Sequence, residues 1–227
     1  MPDEVTAAPL VRFEMLGRHI ALVTLDRPEK RNAISPEVAS ALEVIVRRIE
    51  DEADIRVAIL TSSEPRVFCA GADLGAVASG KGAGMETAGG GFAGFVYAQR
   101  IKPWIAAVEG MALAGGCEIC LACDMIVASQ GASFGLPEVK RGLMAGAGGV
   151  HRLANMLPRN IAAELLATGE PIDGARAHAL GLVNRLVEPG ETLTAARELA
   201  EAIAKNAPLS VQHSLAAMRA NIGQPDG

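Results

Sequence analysis

A long, weakly charged stretch covers residues 103–129 of this chain and limits how the chain can fold. It is as long as a membrane span, which needs about 20 consecutive apolar residues. Three acidic residues, Glu109, Glu118 and Asp124, interrupt it, and so do the glycines of "LAGGC". An unpaired charge is costly to bury. We therefore interpret the stretch as buried core, made of a strand, a helix and a second strand, in which Glu118 needs an explanation.

The composition is that of an ordinary soluble globular protein, with half of the 227 residues apolar and about a fifth charged. The formal charge is −5 and no run of Lys or Arg occurs, so the electrostatic footprint of a nucleic-acid-binding protein is missing. Residues 1–15 lack the basic and then apolar pattern of a leader peptide. We predict a cytoplasmic protein with neither a nucleic-acid nor a membrane partner.

The four cysteines are interpreted as core residues. Cys117, Cys120 and Cys123 have a spacing that can indicate iron–sulfur ligation, whereas Cys69 lies far away in sequence. The same spacing places the three near one face of a helix, where free cysteine packs as a small hydrophobe. No histidine has a second histidine or a cysteine at ligand spacing. We predict reduced thiols and no metal.

Hydrophobic periodicity predicts an α/β chain. "VRFEML" and "HIALVTL" read as two strands, and Ser35 followed by Pro36 is typical of a helix start. "VAILTS" reads as a buried strand. Residues 75–91 are glycine-rich and predict a mobile loop, followed by a helix at about 92–101. From residue 148 onward the pattern is mostly helical, with one short strand in "LVNRLV".

Two glycine-rich motifs resemble ligand sites. "GAVASGKG" at residues 75–82 nearly matches a phosphate-binding loop, but glycine replaces the final hydroxyl residue. "GAGG" at residues 146–149 opens a helix and could hold an anion on its free amides, although close backbone packing is the simpler interpretation. No G-x-S-x-G elbow occurs, so hydrolysis by a serine of that type is unsupported.

Two carboxylates and two glycine turns together suggest chemistry. Glu118 and Glu138 both lie in apolar, glycine-punctuated surroundings, as a general acid and base can. The turns at residues 70–74 and 114–117 could each present a free amide, and Gly115 would begin a helix. Two converging amides make an oxyanion hole, which suits an enolate next to a thioester carbonyl. A surface position or a buried ion pair remains the alternative for either glutamate alone.

Five motifs occur in the order found in the enoyl-CoA hydratase/crotonase superfamily, and the chain resembles that superfamily over about residues 11–205. The motifs are "LDRPEKRNAIS", "VFCAGADL", "PWIAAVEGMALAGGCEICLACDMIVAS", "FGLPEVKRGLMAGAGG" and "LATGEPIDGARAHALGLVNRLV". The resemblance implies an α/β fold, a crotonase-like spiral of β-β-α units followed by C-terminal helices. It implies a spiral core with the acyl-CoA site in residues 1–190 and a helical trimerisation segment in residues 191–227.

The resemblance also implies roles for individual residues. The amides of Ala72 and Gly115 would form the oxyanion hole, and Glu118 and Glu138 would be the two catalytic carboxyl groups. Seven further positions would contact the substrate or its coenzyme A moiety: Lys30, Arg31, Ala33, Ala70, Asp73, Leu74 and Gly75. Coenzyme A belongs to the substrate, so no separate cofactor is expected.

The implied reaction is reversible hydration of a 2-enoyl-CoA to a 3-hydroxyacyl-CoA, as in fatty acid metabolism. Glu138 would protonate C2 while Glu118 activates the water that attacks C3. Other reactions of the superfamily stay open: Δ3,Δ2-enoyl-CoA isomerisation, which needs only the Glu138 position, and other acyl-CoA lyase or hydrolase reactions. A non-catalytic trimer that binds acyl-CoA or acts as a scaffold is an alternative of another class.

Two departures from the superfamily pattern occur. Ala114 takes the place of the first glycine of a common triplet, which leaves the donor Gly115 intact. The chain stops after "MRANIGQPDG", where members usually continue with further helix over the active site. The resemblance implies a homotrimer or a dimer of trimers (a hexamer), with assembly and closure of the pocket dependent on that C-terminal segment.

Overall fold

The computed structural model describes residues 9–221, and every structural statement below refers to them. The prediction that the N-terminus lacks a leader concerns residues 1–15, and residues 1–8 of that stretch lie outside the described residues. The chain end at residues 222–227 likewise lies outside the described residues.

Twelve strands and eight helices are found in the described residues, together with three short 3-10 helices at Pro28–Lys30, Gly82–Met85 and Pro137–Arg141. The strands are β1 Val11–Met15, β2 Ile20–Leu25, β3 Val57–Ser62, β4 Val67–Cys69, β5 Glu86–Thr87, β6 Gly91–Phe92, β7 Trp104–Val108, β8 Met111–Leu113, β9 Met125–Ser129, β10 Ser133–Gly135, β11 Ile172–Asp173 and β12 Arg185–Val187. The helices are α1 Pro36–Asp51, α2 Leu74–Ala78, α3 Gly115–Ala122, α4 Gly149–Met156, α5 Arg159–Thr168, α6 Gly174–Ala179, α7 Thr192–Ala204 and α8 Pro208–Asn221.

The strands form a spiral across two sheets. The large sheet has the order β1-β2-β3-β7-β9-β12, with β1 antiparallel to β2 and the other pairs parallel. The small sheet has the order β11-β10-β8-β4. The pairs β3/β4, β7/β8 and β9/β10 each place their first strand in the large sheet and their second in the small one. The predicted spiral of strand–strand–helix units is confirmed.

The start of α1 follows from its local sequence. The hydroxyl of Ser35 accepts a hydrogen bond from the amide of Val38 at 3.4 Å, which caps the helix. Pro36 occupies the first turn, where no amide hydrogen is needed. The predicted helix start is confirmed, and the apolar face of α1 packs into the core.

The core lies on both faces of the large sheet. All six residues of β2 and all five residues of β7 are buried, as expected for strands covered on both sides. On one face, Trp104 and Phe95 pack edge to face with ring centroids 5.0 Å apart. On the other face, small residues of α7 such as Ala196 and Ala200 lie against the sheet. The strands that precede the site, β4, β8 and β10, each follow a buried strand of this large sheet and lie in the small sheet.

The helix expected at about 92–101 is absent from the described residues, so that prediction was wrong. The segment instead forms β6 and a series of turns. Ala93 and Gly94 have φ angles of 61° and 64°, which a helix does not allow. A Cβ at Gly94 would lie 2.5 Å from the carbonyl oxygen of Ala39, so the segment packs closely on α1. Residues 75–91 were predicted as a loop, which is wrong in part because they contain most of α2, the 3-10 turn Gly82–Met85 and β5. Their mobility stays a prediction.

The C-terminal helix α8 is attached through Arg219. Its guanidinium contacts both carboxylate oxygens of Asp124, at 2.7 to 2.9 Å, and donates to the carbonyl oxygen of Arg100 at 2.7 Å. Leu209 and Met218 on the same helix stay exposed. Across residues 9–221, every helix is too short or too polar to cross a bilayer.

Candidate active site

The turn after β4 presents a free backbone amide at Ala72. The amide of Ile34 donates to the carbonyl of Gly71 at 2.8 Å, and the amide of Asp73 donates to the carbonyl of Ile34 at 2.9 Å. The amide of Ala72 lies between these two bonds and has no acceptor among the described residues. Gly71 has a φ of 93°, a conformation that favours glycine.

The start of α3 presents a second amide close to the first. Gly115 is the first residue of the helix, so its amide has no partner within the helix. A Cβ at Gly71 would lie 2.9 Å from the Cβ of Ala114 and 3.0 Å from the nitrogen of Gly115. The two turns are therefore in contact, and only glycine at position 71 permits that approach.

Glu118 lies one turn into α3, and the residue is only 3% exposed. Its Oε1 accepts a hydrogen bond of 2.8 Å from the amide of Gly149, the first residue of α4. Burial raises the pKa of Glu118, and the nearby Glu138 carboxyl adds to this rise. The amides of Gly149 and Ala147 and the charge of Arg152 oppose it. This carboxyl is thus buried but supplied with groups that favour its charged form.

Glu138 has a different environment. It lies half-buried in the 3-10 turn Pro137–Arg141, and its Oε2 is inaccessible and lacks a hydrogen-bond partner among the described residues. Burial raises the pKa of Glu138, and only its own backbone amide acts against this rise. A buried carboxyl with one oxygen left unpartnered favours the neutral form. The two glutamates therefore differ in the way that an acid and a base must differ.

One cavity of about 700 Å³ is lined by every residue predicted for the site. They are Lys30, Arg31, Ala33, Ala70, Ala72, Asp73, Leu74, Gly75, Gly115, Glu118 and Glu138. The structure thus brings every one of them together, while their individual roles stay predictions. Phe92, Glu86 and Arg141 line the same cavity and were not selected from the sequence.

The end of the cavity near the first 3-10 turn is basic. Lys30 and Arg31 are exposed there and have no ion pair with the described residues. Asp73 lies beside them, but its carboxylate pairs with Arg27 at 2.6 Å and caps α2 through the amide of Gly75 at 2.8 Å. The Arg27 hydrogen bond lowers the pKa of Asp73. The carboxylate of Asp73 is therefore already paired, and the residue forms part of the cavity wall.

All four cysteines are buried, as predicted for core residues. Burial raises the pKa of Cys69, Cys117 and Cys123 to about 12. Burial also raises the pKa of Cys120 well above its usual range. Such thiols stay protonated at neutral pH and are poor nucleophiles and metal ligands. No cluster of three or more Cys, His, Asp or Glu within residues 9–221 could hold a metal ion.

Phe92, Gly149 and Arg152 also shape the site, although no sequence pattern selects them as site residues. Phe92 fills the space that a side chain on Gly115 would need, so its ring lies against the second free amide. The amide of Gly149 donates a hydrogen bond to Glu118, although the simpler interpretation of the "GAGG" run from sequence is close backbone packing. Arg152 donates to the carbonyl of Ala147 in the same loop at 3.0 Å. The helix-opening "GAGG" was the one available signal, since free amides at a helix start attract anions.

Comparisons with known proteins agree on one family. The model of the enoyl-CoA hydratase/isomerase family matches residues 16–226. Carnitinyl-CoA dehydratase of Proteus mirabilis (strain HI4320) is 43% identical over 190 residues, which is 83% of this chain and 72% of that relative. The crystal structure of an enoyl-CoA hydratase from Mycobacterium tuberculosis H37Rv has a TM-score of 0.91 and 44% identity, covering 96% of this chain and 84% of that one. The structure of a carnitinyl-CoA dehydratase from Mycobacterium avium 104 has a TM-score of 0.87 and 44% identity, covering 97% and 85%.

Proposed function

This chain belongs to the enoyl-CoA hydratase/isomerase family, and from that premise we propose that it reversibly hydrates a 2-enoyl-CoA to a 3-hydroxyacyl-CoA. The observation that carries the proposal is the joint placement of two free amides and two carboxyl groups in one cavity. Ala72 and Gly115 supply the amides, and Glu118 and Glu138 supply the carboxyl groups.

The two amides stabilise the reacting thioester. Its carbonyl oxygen lies between the N–H groups of Ala72 and Gly115, which polarise the conjugated double bond. Negative charge develops on that oxygen as the enolate forms, and fixed donors in a water-poor cavity stabilise such charge strongly. Gly71 permits the contact between the two turns, so the donors are arranged before substrate binds.

The two carboxyl groups move the protons. Glu118, whose charged form is favoured by the amide of Gly149, removes a proton from water as the water oxygen bonds to C3. Glu138, whose neutral form is favoured by burial, delivers its proton to C2. The sum adds one water across the double bond with no change of redox state, so the proposal needs neither a metal nor a redox cofactor. Dehydration reverses each step.

The basic end of the cavity receives the coenzyme A moiety in this proposal. Lys30 and Arg31 lack ion pairs with the described residues and are available to phosphate groups. Ala33, Ala70 and Leu74 then form apolar walls beside the pantetheine arm. An acyl-CoA fits a cavity that is basic at one end and apolar with two carboxyl groups at the other.

A panel of acyl-CoA substrates tests the proposal. The purified protein is incubated with 2-enoyl-CoA thioesters from four to sixteen carbons, and loss of the enoyl absorbance is followed. Incubation with 3-enoyl-CoA thioesters tests isomerisation through a gain of that absorbance. Hydration of at least one chain length supports the proposal. A gain of enoyl absorbance from 3-enoyl-CoA substrates without any hydration indicates an isomerase. Tight binding of acyl-CoA without turnover indicates a scaffold protein.

Dehydration of a carnitinyl-CoA is a second candidate, favoured by Glu86 and Phe92. Carnitine carries a trimethylammonium group, and aromatic faces and carboxylates both attract such cations. Glu86 faces Phe92 across the β5/β6 ladder, which puts their side chains on one face, and both line the cavity. Glu86 has no ion pair with the described residues. Relatives named carnitinyl-CoA dehydratase support the same substrate class.

The charge of Glu86 makes this candidate testable. Kcat/KM is compared for crotonyl-CoA and for its 4-trimethylammonio derivative, in the wild type and in Glu86→Gln. We expect the variant to lose about tenfold for the cationic substrate and to keep its rate for crotonyl-CoA, as loss of one charge contact predicts. Arg141 lines the same cavity and would favour an anionic acyl group, so a glutaconyl-CoA arm is included. A preference for that arm rejects the carnitinyl candidate.

We also propose a homotrimer or a dimer of trimers in the cytoplasm. The large apolar side chains of Leu209 and Met218 on α8 are exposed and available to a neighbouring subunit. Four buried free cysteines fit a reducing compartment. Light scattering after size-exclusion chromatography measures the assembly.

A further inference from the structure

Arg152 joins two segments that border the active site. It lies on α4, and its Nη1 donates to the carbonyl of Ala147 at 3.0 Å. Its Nη2 donates to the carbonyl of Val96 at 2.5 Å, and the guanidinium carbon lies 5.2 Å from the ring centre of Tyr97. One planar side chain therefore connects the loop before α4 with the turns after β6.

Both segments act on the residues proposed for catalysis. The loop at residues 146–149 supplies the amides of Ala147 and Gly149 that face Glu118. The turns after β6 follow Phe92, whose ring lies against Gly115. A shift of either segment would change the position of a carboxylate or of an oxyanion donor.

The loop itself depends on the guanidinium. Gly148 has a φ of 95°, and the guanidinium of Arg152 fills the space where a Cβ on Gly148 would lie. Gly148, which could adopt many conformations, is thus held in one of them by the packed Arg152 side chain and by its hydrogen bond to the preceding carbonyl of Ala147. Without that side chain, the loop has room to relax and to carry the amide of Gly149 away from Glu118.

We infer that Arg152 is a positioning residue, which holds loop 146–149 against the turns after β6 so that the amide of Gly149 stays on Glu118. This inference rests on the proposed function only for its kinetic consequence. Arginine suits the task because its fork donates to two carbonyls at once, whereas lysine supplies a charge without the fork.

The charge of Arg152 also reaches Glu118 and acts against the burial that raises the pKa of that carboxyl. The other groups around Glu118 are Glu138 from the facing 3-10 turn and Cys117 from its own helix. His151 stands next to Arg152 on α4, and burial lowers its pKa, so it adds little positive charge at neutral pH. Loss of Arg152 should therefore raise the pKa of Glu118 further.

Arg152→Met and Arg152→Lys test the inference, with Arg197→Met as the matched control on the exposed face of α7. We expect Arg152→Met to lower kcat at least tenfold while KM changes less than threefold. The acid limb of its kcat profile should move to higher pH. Arg152→Lys should restore the position of the acid limb and only part of kcat. Wild-type kcat and pH profile in folded Arg152→Met, or in folded Arg152→Lys if the first variant does not fold, would overturn the inference.

A crystal structure of the variant gives a readout that needs no activity. If the inference holds, the distance between the Gly149 nitrogen and Glu118 Oε1 grows from 2.8 Å to beyond hydrogen-bond range. An unchanged distance overturns it, whatever the kinetics show. Absence of hydratase activity in the wild type would reject the proposed function alone, because the distance still decides the role of Arg152.

Discussion

The amide of Gly149 and Oε1 of Glu118 are joined by a hydrogen bond of 2.8 Å, although the two residues are 31 positions apart in sequence. Gly149 begins α4, so this bond places a carboxylate on the positive end of a helix. Glu138 has no such donor, and its Oε2 is left without a partner in the described part of the chain. This bond, together with the amide of Ala147 and the charge of Arg152, distinguishes the electrostatic environment of Glu118 from that of Glu138.

A Cβ on Gly149 should break that arrangement. In Gly149→Ala the new methyl carbon would lie 2.9 Å from both Cγ and Oε1 of Glu118 and 2.9 Å from Cδ1 of Leu136. We expect kcat to fall about tenfold or more and the free energy of unfolding to fall by about 1–3 kcal/mol, as overpacking usually costs. Steady-state kinetics and urea unfolding measure the two effects.

Gly131→Ala is the control for this change. A Cβ there would meet its nearest neighbour, the hydroxyl of Ser129, at an ordinary 3.5 Å. Its stability should stay within about 0.5 kcal/mol of the wild type, as for most surface changes. Equal kcat in Gly149→Ala and Gly131→Ala would show that the bond to Glu118 does not position the carboxylate.

Replacing either carboxyl group by an amide should remove most of the activity. Glu118→Gln and Glu138→Gln keep the shape of the side chain but cannot exchange the proton, so each should lower kcat by about 100-fold or more. The double variant should lose less than the product of the two factors, because both groups act in one transition state. Glu164→Gln, on the exposed side of α5, is the control. Loss of activity in Glu138→Gln alone would favour the isomerase over the hydratase.

The sequence was informative where spacing along one element decides the geometry. Gly115 and Glu118 lie three residues apart, so a helix that begins at Gly115 must present both on nearly one side. The burial of the surrounding stretch followed from its apolar residues, and an isolated carboxylate within it indicated function. The motif order then identified every residue of the predicted site, and all of them line one cavity.

The sequence was less informative where distant segments meet. A helix was predicted at about 92–101, but Gly94 turns there because it packs on Ala39 and Glu43 of α1, some fifty residues earlier. Local propensity cannot reveal such a contact. Arg152 gave no signal either, since its role depends on two carbonyl groups from separate segments.

The difference in stability between Glu138→Gln and the wild type should depend on pH with a definite sign. Burial raises the pKa of Glu138 in the folded protein above its value in the unfolded chain. Between these two pKa values the folded protein holds more protons, so the free energy of unfolding falls as pH rises through that window. The favourable contribution is complete below the unfolded-state pKa, which for a glutamate is about 4.3. It is lost above the folded-state pKa.

Glutamine does not titrate, so the variant escapes that loss. The free energy of unfolding of Glu138→Gln, relative to the wild type, should increase from about pH 4 upward and level off above the folded-state pKa. Release of Glu118 from its charged neighbour acts in the same direction. Urea unfolding at a series of pH values measures the difference. A flat line for Glu138→Gln would contradict the assigned environment.

Ala114 stores strain directly before the second oxyanion donor. Its φ of 51° and ψ of −129° belong to a region that residues with a side chain rarely adopt, and its methyl group lies against Gly71. Such a conformation costs about 1–3 kcal/mol, which glycine would not incur. Glycine also gives the unfolded chain more conformational freedom, and this lowers the free energy of unfolding by about 0.4–1 kcal/mol. We therefore expect Ala114→Gly to stabilise the protein by about 1 kcal/mol. The unfolding midpoint should rise by about 2–4 °C for a chain of this length.

An alanine in an ordinary helical position gives the opposite expectation. Ala202 is exposed within α7, so Ala202→Gly should lower the free energy of unfolding by about 1 kcal/mol. Thermal unfolding of both variants, followed by circular dichroism, separates relief of strain from the general effect of glycine. Because Gly115 keeps its place at the start of α3, kcat of Ala114→Gly should stay within about threefold of the wild type, well short of the factor of 100 expected for loss of an acid or base. A lower midpoint in Ala114→Gly would mean that the surrounding turns hold Ala114 without strain.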